Sequence, residues 1–409
     1  LHRVDRRQRQ MCIRDRNSTM LQNILIERKI YATEEHKMMR SMIQEFIANE
    51  IMGQLDNWEK QGMVSREIWK RAGELGLLCL DIPEMYGGGG LDFTFNALLI
   101  EEFAKKGITG PGFSLHSDIV APYLLHYGTE AQKQKYLPLM AKGELITAIG
   151  MTEPNCGSDL KALGTTAEDK GDYYLVNGQK TFITNGFMCD MAIVAVKTNA
   201  KTDDEGVTLL ILESAMEGFN KGNPLKKIGM KSQDTAELFF DNVKVPKENR
   251  LGDEKIGFKI MMKELARERL TVGIMAVATA EGAIEDTIKY TTERTAFGSP
   301  IASFQNTQFK IAECVTQMQI HQAFMDRCIT LMSTHELSSE TASMIKYSAT
   351  DMCGKVVDEC LQLFGGYGYM WDYPIARMYA DNRVTRIYAG TNEIMKILIA
   401  RRLFKELLK

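Results

Sequence analysis

Two glutamates stand where a carboxylate could remove a proton from a bound molecule. Glu268 lies in a predicted helix between Arg267 and Arg269, and Glu393 follows Thr391 by two residues. Burial raises the pKa of a carboxyl group toward neutrality and makes its ionised form a better base. A second interpretation stays open for both, because a surface glutamate pairs with neighbouring arginines and an acid in a first helical turn compensates the helix dipole.

The composition is that of an ordinary globular enzyme. The 409 residues are too many for one core and predict two or three domains. A net charge of -3 gives no electrostatic reason to expect nucleic acid, and no apolar run approaches the roughly 20 residues of a membrane span. The eight cysteines include no Cys-x-x-Cys pair, so we predict neither a metal site nor a disulfide framework.

The first nineteen residues differ from the rest of the chain. They contain six arginines and little apolar periodicity. An Arg-rich leader is typical of a mitochondrial transit peptide, but Asp5 and Asp15 argue against that interpretation. We therefore expect residues 1–19 to be an appended, non-native leader before a native start at Met20. The expected location is the bacterial cytoplasm, or the mitochondrial matrix if the leader is a transit peptide.

Two changes in periodicity divide the remaining chain. Apolar residues at three- and four-residue spacing predict helices from Thr33 to about Gly143, with Ser65 as a helix N-cap. Strand-like runs follow, and the Asn177-Gly178 pair between two of them predicts a hairpin. The predicted division is a leader at 1–19, an N-terminal α-helical domain at 20–146, a middle β domain at 147–256 and a C-terminal four-helix bundle at 257–409.

The last of these regions contains long helical patterns. Four helices are predicted at 261–293, 309–331, 339–364 and 392–408. The predicted fold class is mainly α with a central antiparallel, barrel-like β domain. A sheet without alternating helices argues against a Rossmann dehydrogenase.

Four motifs, in this order along the chain, resemble segments of the acyl-CoA dehydrogenase family. They read GMTEPNCGSD at 150–159, FIT at 182–184, RTAFG at 294–298 and QLFGGYGY at 362–369, the last followed by Asp372, Arg377 and Asp381. Cys156 is a departure, since a small Ala or Gly is commoner there. The resemblance extends from Thr33 to the C-terminus. It implies the three-domain fold of that family, an FAD cofactor, an acyl-CoA substrate, a homotetramer and electron-transfer flavoprotein as electron acceptor.

The resemblance also assigns the residues that contact FAD. Pro154 and Gly157 hold an irregular loop that aims N–H groups and hydroxyls at the cofactor, and Arg294 and Gln305 reach its phosphates, usually across a subunit interface. Taken singly, these segments fit an ordinary turn, a half-buried strand, a solvated arginine and a glycine helix cap. The assigned residues are Ile149, Gly150, Met151, Thr152, Glu153, Pro154, Asn155, Cys156, Gly157, Ser158, Phe182, Ile183, Thr184, Arg294, Gln305, Gln362, Leu363, Phe364, Gly365, Gly366, Thr391, Asn392 and Glu393.

The base of the family is displaced in this chain. The loop that often reads Tyr-Glu-Gly-Thr in the family has Ala389 in place of the glutamate, whereas the long-chain and isovaleryl branches place their base at the position of Glu268. A backbone N–H at Ala389 would still bind the thioester oxygen, where negative charge develops when the α-proton is removed. Residues assigned to the substrate are Ser158, Ala266, Arg267, Arg269, Ala389 and Gly390.

These assignments predict α,β-dehydrogenation of a fatty or branched acyl-CoA to the trans-2-enoyl-CoA, with Glu268 as the catalytic base. The same fold also serves nitroalkane-type oxidases and dehydrogenases acting on acyl-carrier proteins, which stay open as alternatives. A flavin-bearing, DNA-associated relative is disfavoured by the net charge of -3. We expect neither a nucleic-acid partner nor an integral membrane contact, and the sequence leaves the acyl chain length open.

Overall fold

The computed structural model describes residue 21, residues 23–198 and residues 206–405. The predicted leader at 1–19 and the last residues of the helix predicted at 392–408 lie outside the described residues. Helices precede and follow a central sheet, which confirms the predicted fold class. The described helices all lack the length of apolar sequence that a membrane crossing requires.

The N-terminal helices begin at polar residues that cap them. Thr33 accepts a hydrogen bond from the His36 N–H (3.3 Å), and Thr129 and Gln132 form a reciprocal capping box. Ser65 occupies the predicted N-cap position, but its side chain accepts no capping bond from the helix that it precedes. The helices are α1 (Glu34–Phe46), α2 (Leu55–Gln61), α3 (Arg66–Glu74), α4 (Phe93–Lys105), α5 (Ala121–Tyr127) and α6 (Glu130–Ala141).

An eight-stranded sheet follows within the described residues. Its strands are β1 (Thr147–Gly150), β2 (Thr166–Asp169), β3 (Tyr173–Thr184), β4 (Met191–Lys197), β5 (Val207–Glu213), β6 (Phe219–Lys221), β7 (Thr235–Pro246) and β8 (Arg250–Leu251). Their order in the sheet is β6-β7-β3-β2-β4-β5-β8, with β1 beside β4. Most neighbours are antiparallel, but β4 pairs in parallel with β1 and β2, which the prediction of an antiparallel sheet did not include.

The hairpin predicted at Asn177-Gly178 is wrong. Strand β3 continues through both residues and pairs along its length with β7, with a shift in register between Val176 and Gly178. Gly178 has φ +145°, and a Cβ atom there would lie 2.7 Å from the Cα of Thr165. The glycine therefore permits a β-bulge where the backbone at Thr165 packs closely against β3. This close approach explains why a dipeptide typical of turns occurs inside a strand.

The four predicted C-terminal helices are present, together with a shorter fifth. They are α7 (Gly257–Glu293), α8 (Gln305–Ser333), α9 (Ser339–Phe364), α10 (Pro374–Asn382) and α11 (Asn392–Phe404), with the small strands β9 (Thr295–Ala296) and β10 (Ser299–Pro300) between the first two. The predicted borders at 146/147 and 256/257 fall between elements, and the division into domains stays a prediction.

Three clusters of buried side chains hold these parts together. The largest is shared by the N-terminal helices and the bundle, and it contains Trp69, Leu98 and Met325. A second joins α5, α6 and the start of α7 to the sheet, and a third contains buried side chains of the sheet itself. The N-terminal helices, the sheet and the bundle therefore pack against one another, and the cavity described next lies where they meet.

Candidate active site

A cavity of about 790 Å³ lies where the N-terminal helices, the sheet and the bundle meet. Its walls come from α4, a π-helical segment at Leu115–Val120, the loop after β1, the end of β3, α7, the loop at 388–390 and α11. The lining is mainly apolar, with polar side chains at a few positions. A cavity of this size and character is typical of a site for an organic ligand.

Many of the residues predicted from sequence meet at this cavity. They come from segments far apart in the chain, so tertiary folding alone brings them together. Those that line it are Ile149, Met151, Thr152, Gly157, Ser158, Phe182, Ile183, Thr184, Glu268, Arg269, Ala389 and Gly390.

Glu268 is 8% exposed and forms part of the cavity wall. The Tyr123 hydroxyl donates a hydrogen bond to its carboxylate (3.3 Å). Burial raises the pKa of Glu268 to about 7, although the charge of Arg269 and the bond from Tyr123 both act to lower it. The wall therefore carries a carboxyl group that ionises near neutral pH.

The loop at 388–390, which also lines the cavity, has a strained backbone. Ala389 has φ +54° and Gly390 has φ +87°, and an alanine in the left-handed region costs roughly 1–2 kcal/mol. Lys346 holds this loop, since its ammonium donates to the carbonyl of Gly390 (2.8 Å) and to Oδ1 of Asn392 (3.0 Å). Within the described chain, no acceptor is found for the N–H of Ala389.

Lys346 itself is fully buried. Burial lowers the pKa of its ammonium to about 8, and the nearby charge of Arg269 acts in the same direction. The guanidinium of Arg269 donates to the hydroxyls of Ser339 (2.8 Å) and Ser343 (3.4 Å). Helix α9 therefore positions both the cation beside Glu268 and the loop of Ala389.

Phe182 marks a second strained position in the cavity wall. It has φ +59°, at the point where the pairing of β3 with β7 shifts register between Lys180 and Ile183. Its side chain is 69% exposed although it lies in a central strand. An exposed aromatic ring on a strained backbone is typical of a functional site.

The cavity excludes several residues that the sequence analysis assigned to it. Glu153 forms a buried ion pair with Lys180 (2.7 Å) and accepts a hydrogen bond from the Thr165 N–H (3.0 Å). Its carboxylate therefore ties the loop after β1 to neighbouring backbone and does not face the cavity. Pro154, Asn155 and Cys156 in the same loop also lie outside the lining, as do Gly150 at the end of β1 and Ala266 in α7.

Arg267 also lies away from the cavity. Its guanidinium donates to Asp81 (2.6 Å), lies 3.4 Å from Asp118 and stacks over Phe93. These contacts leave it buried within the protein and outside the cavity lining, and its contact with the substrate stays a prediction.

Another group of predicted residues lies elsewhere on the bundle. The guanidinium of Arg294 is 5.4 Å from the ring centre of Tyr367, and a Cβ at Gly365 or Gly366 would meet open space. The single chain does not bring these residues to its own cavity. The residues concerned are Arg294, Gln305, Gln362, Leu363, Phe364, Gly365 and Gly366.

The segment 391–393 is used for helix capping. Thr391 accepts from the Ile394 N–H (3.3 Å) at the start of α11, and Asn392 is buried against α9. Hydrogen bonds from its own N–H and from the Thr391 hydroxyl lower the pKa of Glu393. These contacts favour the helix-dipole interpretation of Glu393, and all three residues lie outside the lining.

Five polar residues at or beside the cavity were not predicted from the sequence. They are Asn96, Ser117, Asp118, Tyr123 and Lys346. Two of them carry a signal that was available. Asn96 stands on the otherwise apolar face of α4, and Lys346 stands among apolar positions of α9. A polar residue on a buried helical stripe indicates a specific partner.

Comparisons with known proteins agree with this arrangement. The acyl-CoA dehydrogenase N-terminal, middle and C-terminal domain models match residues 33–144, 148–243 and 255–404. The mitochondrial long-chain specific acyl-CoA dehydrogenase of Mus musculus is 46% identical over 381 residues, which are 93% of this chain and 88% of that protein.

Solved structures of acyl-CoA dehydrogenases have the same fold as this chain. The acyl-CoA dehydrogenase of Geobacillus kaustophilus superposes with a TM-score of 0.89 and 47% identity, covering 91% of this chain and 99% of that one. An acyl-CoA dehydrogenase from Bacillus anthracis, solved in complex with FAD, superposes with a TM-score of 0.86 and 32% identity, covering 94% of this chain and 70% of that one.

Proposed function

The chain belongs to the acyl-CoA dehydrogenase family of FAD-dependent oxidoreductases, and we propose that it converts a fatty or branched acyl-CoA to the trans-2-enoyl-CoA. The observation that carries the proposal is Glu268, a buried carboxyl group with a pKa of about 7 in the wall of the cavity. The loop at 388–390 contributes Ala389 to the cavity wall and no carboxylate. The base is therefore on α7.

The residues of the cavity fit an FAD group. Hydroxyls of Thr152, Ser158 and Thr184 line it beside the exposed ring of Phe182, so hydrogen-bonding groups and an aromatic surface lie together. When bound, FAD accepts the hydride that leaves C3 of the acyl chain. Phe182 and Thr184 would lie against the ring system, and the loop at 152–158 would hold its polar atoms.

The protein's own groups move the proton. The ionised carboxylate of Glu268 takes the proton from C2, and the Tyr123 hydroxyl holds that carboxylate in position. The charge that then develops on the thioester oxygen is stabilised by the N–H of Ala389, a backbone donor that needs no particular side chain. The apolar lining excludes water, which strengthens both interactions.

Assembly and electron transfer form part of the same proposal. Arg294, Gln305 and residues 362–366 lie outside the cavity of their own chain, so they would reach an FAD only from a neighbouring subunit. This placement supports a homotetramer in which subunits complete one another's cofactor sites. Electron-transfer flavoprotein is the proposed electron acceptor, as the family resemblance implies.

The test is an anaerobic titration of the FAD-loaded protein with acyl-CoAs of graded length, followed by bleaching of the flavin absorbance. Wild-type protein should bleach, whereas Glu268→Gln should keep its bound FAD and lose bleaching rate by about a hundredfold or more. Glu264→Gln is the matched control, because Glu264 is equally buried one turn earlier in α7 and contacts His126. Rapid bleaching of Glu268→Gln would place the base elsewhere. A wild-type protein that no acyl-CoA bleaches would overturn the proposed function.

A further inference from the structure

Helices α5 and α7 contact each other through acid–base side chains at two successive turns. At the first turn, the Tyr123 hydroxyl donates to the carboxylate of Glu268 (3.3 Å). At the next turn, Nδ1 of His126 lies 2.9 Å from Oε1 of Glu264. The proposed reaction uses only the first pair, so the second pair needs a separate explanation. We refer to Glu268, Glu264 and His126 as the acid–base row.

The acid–base row leads from the cavity to solvent. Glu268 is part of the cavity lining, whereas Glu264 lies outside the lining and is 8% exposed. His126 also lies outside the lining, and its side chain is 47% exposed. The row therefore begins in the cavity wall, passes through a buried carboxylate and ends at the protein surface.

The spacing of the two glutamates suits the transfer of a proton between them. They are four residues apart on one face of α7, which places their Cβ atoms about 5–6 Å from each other. Burial raises the pKa of Glu268, and the charge of Glu264 acts in the same direction, as expected for neighbouring carboxyl groups. Rotation about the side-chain bonds can bring an oxygen of each carboxyl group within hydrogen-bonding distance of the other.

The other ionisable neighbours do not offer a second exit for the proton. Arg269, beside Glu268, carries a guanidinium that has no acceptor atom. Burial raises the pKa of Tyr123, and it raises that of Tyr127, which hydrogen-bonds Glu264, to about 12. Both phenols therefore stay protonated at neutral pH. Histidine gains and loses protons in that range, so His126 is the member of this group that can exchange them with water.

The proton taken from C2 has to reach water before Glu268 can act again. A bound acyl-CoA fills the cavity that Glu268 lines, and the apolar lining excludes water from that side. Along the acid–base row, the carboxylic acid of Glu268 passes its proton to the carboxylate of Glu264, which passes it to Nδ1 of His126. The imidazolium then loses the proton on Nε2 to water. Both glutamates are ionised again, and one proton has left the protein.

We propose that Glu264 and His126 relay protons between Glu268 and solvent, and that this relay empties the base while a ligand still occupies the cavity. The inference rests on the proposed function, because it takes Glu268 to be the base. Glu264 and His126 act only through Glu268. Removal of the C2 proton needs an ionised Glu268 but not the relay, so loss of the relay slows exchange of that proton with solvent far more than it slows bleaching of the flavin.

The experiment measures how fast deuterium from D₂O enters C2 of a 3-thiaacyl-CoA bound to the FAD-loaded protein. This analogue has protons at C2 but no hydrogen at position 3, so it exchanges without being oxidised. Bleaching of the flavin by the ordinary acyl-CoA gives the reference rate for each variant. In Glu264→Gln and His126→Ala, the ratio of exchange to bleaching should fall by about tenfold or more, because the same proton returns from Glu268 to C2. Imidazole added to His126→Ala should restore exchange, whereas sodium chloride at the same concentration should not.

His321→Ala is the control and should keep the wild-type ratio, because the His321 ring contacts the Gln317 carbonyl of its own helix, α8. Equal ratios in wild type and in both relay variants would overturn the relay and leave the proposed function standing. A fall in His126→Ala that imidazole does not reverse would overturn the exit through His126. The surface variant and its response to imidazole test the relay even if Glu264→Gln does not fold. Failure of every acyl-CoA to bleach the wild-type flavin would instead overturn the proposed function, together with the inference that rests on it.

Discussion

Glu268 and Ala389 separate two tasks that a single glutamate-bearing loop would combine. The backbone N–H of Ala389 offers the same donor whatever its side chain, so in the proposed reaction the loop would bind the thioester oxygen without a carboxylate. Glu268 acquires a pKa of about 7 because α7 buries it.

The rate of flavin reduction should therefore rise with pH through about 7. Below that value the ionised fraction of Glu268 falls about tenfold per pH unit, and only the ionised form accepts a proton. Tyr123→Phe removes a hydrogen bond that lowers the pKa of Glu268, so the midpoint should move to higher pH. Stopped-flow measurements between pH 5.5 and 9 check both statements. A flat profile, or a downward shift in Tyr123→Phe, would contradict them.

Lys346 should act as a positioning residue for the loop of Ala389. Lys346→Met removes both bonds to the loop, at Gly390 and Asn392, and should lower kcat by about tenfold to a hundredfold with a smaller change in KM. Lys355→Met, on an exposed face of the same helix, is the control. Equal kcat values in the two variants, at unchanged flavin content and thermal midpoint, would show that Lys346 does not position the loop for catalysis.

At the scale of elements, the cavity depends on contacts between segments that are distant in sequence. Asp381 in α10 accepts hydrogen bonds from the Met230 N–H and from the Thr109 hydroxyl, the latter at 2.8 Å. A Cβ at Gly229 would lie 2.5 Å from the backbone of Ala380, so the chain between β6 and β7 approaches α10 closely. One carboxylate therefore connects the bundle to the middle region and to the loop after α4.

Asp381→Ala should destabilise the folded chain by about 1–3 kcal/mol, because it leaves the buried Met230 N–H without an acceptor. Asp381→Asn keeps one acceptor oxygen and should cost less. Denaturant unfolding of the two variants beside wild type measures the difference. Equal stability of the alanine and asparagine variants would show that the hydrogen bonds at Asp381 do not hold these segments together.

At the scale of the whole molecule, the segment at 23–33 before α1, here called the N-terminal arm, is joined to two helices by ion pairs of one arginine. The ion pairs of Arg28 are called the charged fork. The guanidinium of Arg28 donates to both oxygens of Glu101 in α4 (2.6 and 2.7 Å) and to Asp326 in α8 (2.6 Å). Glu101 is buried, and Tyr31 also donates to it (2.9 Å). The arm therefore spans the N-terminal helices and the bundle, on top of the apolar core that they share.

Arg28→Met should reduce the free energy of unfolding by about 3 kcal/mol, since it leaves Glu101 charged and buried without its main partner. Arg71→Met removes an exposed pair with Glu50 and should cost less than about 1 kcal/mol. Chemical denaturation at pH 7 compares the two. A loss in Arg28→Met no larger than that in the control would mean that the fork adds little to the shared core.

Local sequence patterns predicted some helix bounds correctly but did not predict features that depend on contacts between distant segments. Helix α9 has the predicted bounds Ser339–Phe364, because capping and an apolar stripe are local properties. The Asn177-Gly178 pair failed as a turn because strand pairing with β7 and the contact with Thr165 outweighed a local preference. Arg267 was assigned to the substrate because the sequence does not show that Asp81 and Asp118 lie beside it.

The sequence by itself determined the order of helices and strands, the family resemblance and the suggestion that Glu268 replaces a missing glutamate at Ala389, since each depends on residue types and on patterns within short segments. Only the tertiary structure decided that Glu268 is buried next to Tyr123, that Lys346 holds the loop of Ala389, and that Arg267 pairs with Asp81 and Asp118 outside the cavity lining. The physical reason is that burial and hydrogen-bond satisfaction depend on neighbours brought together from distant segments, and these neighbours determine the pKa values and the shape of the site.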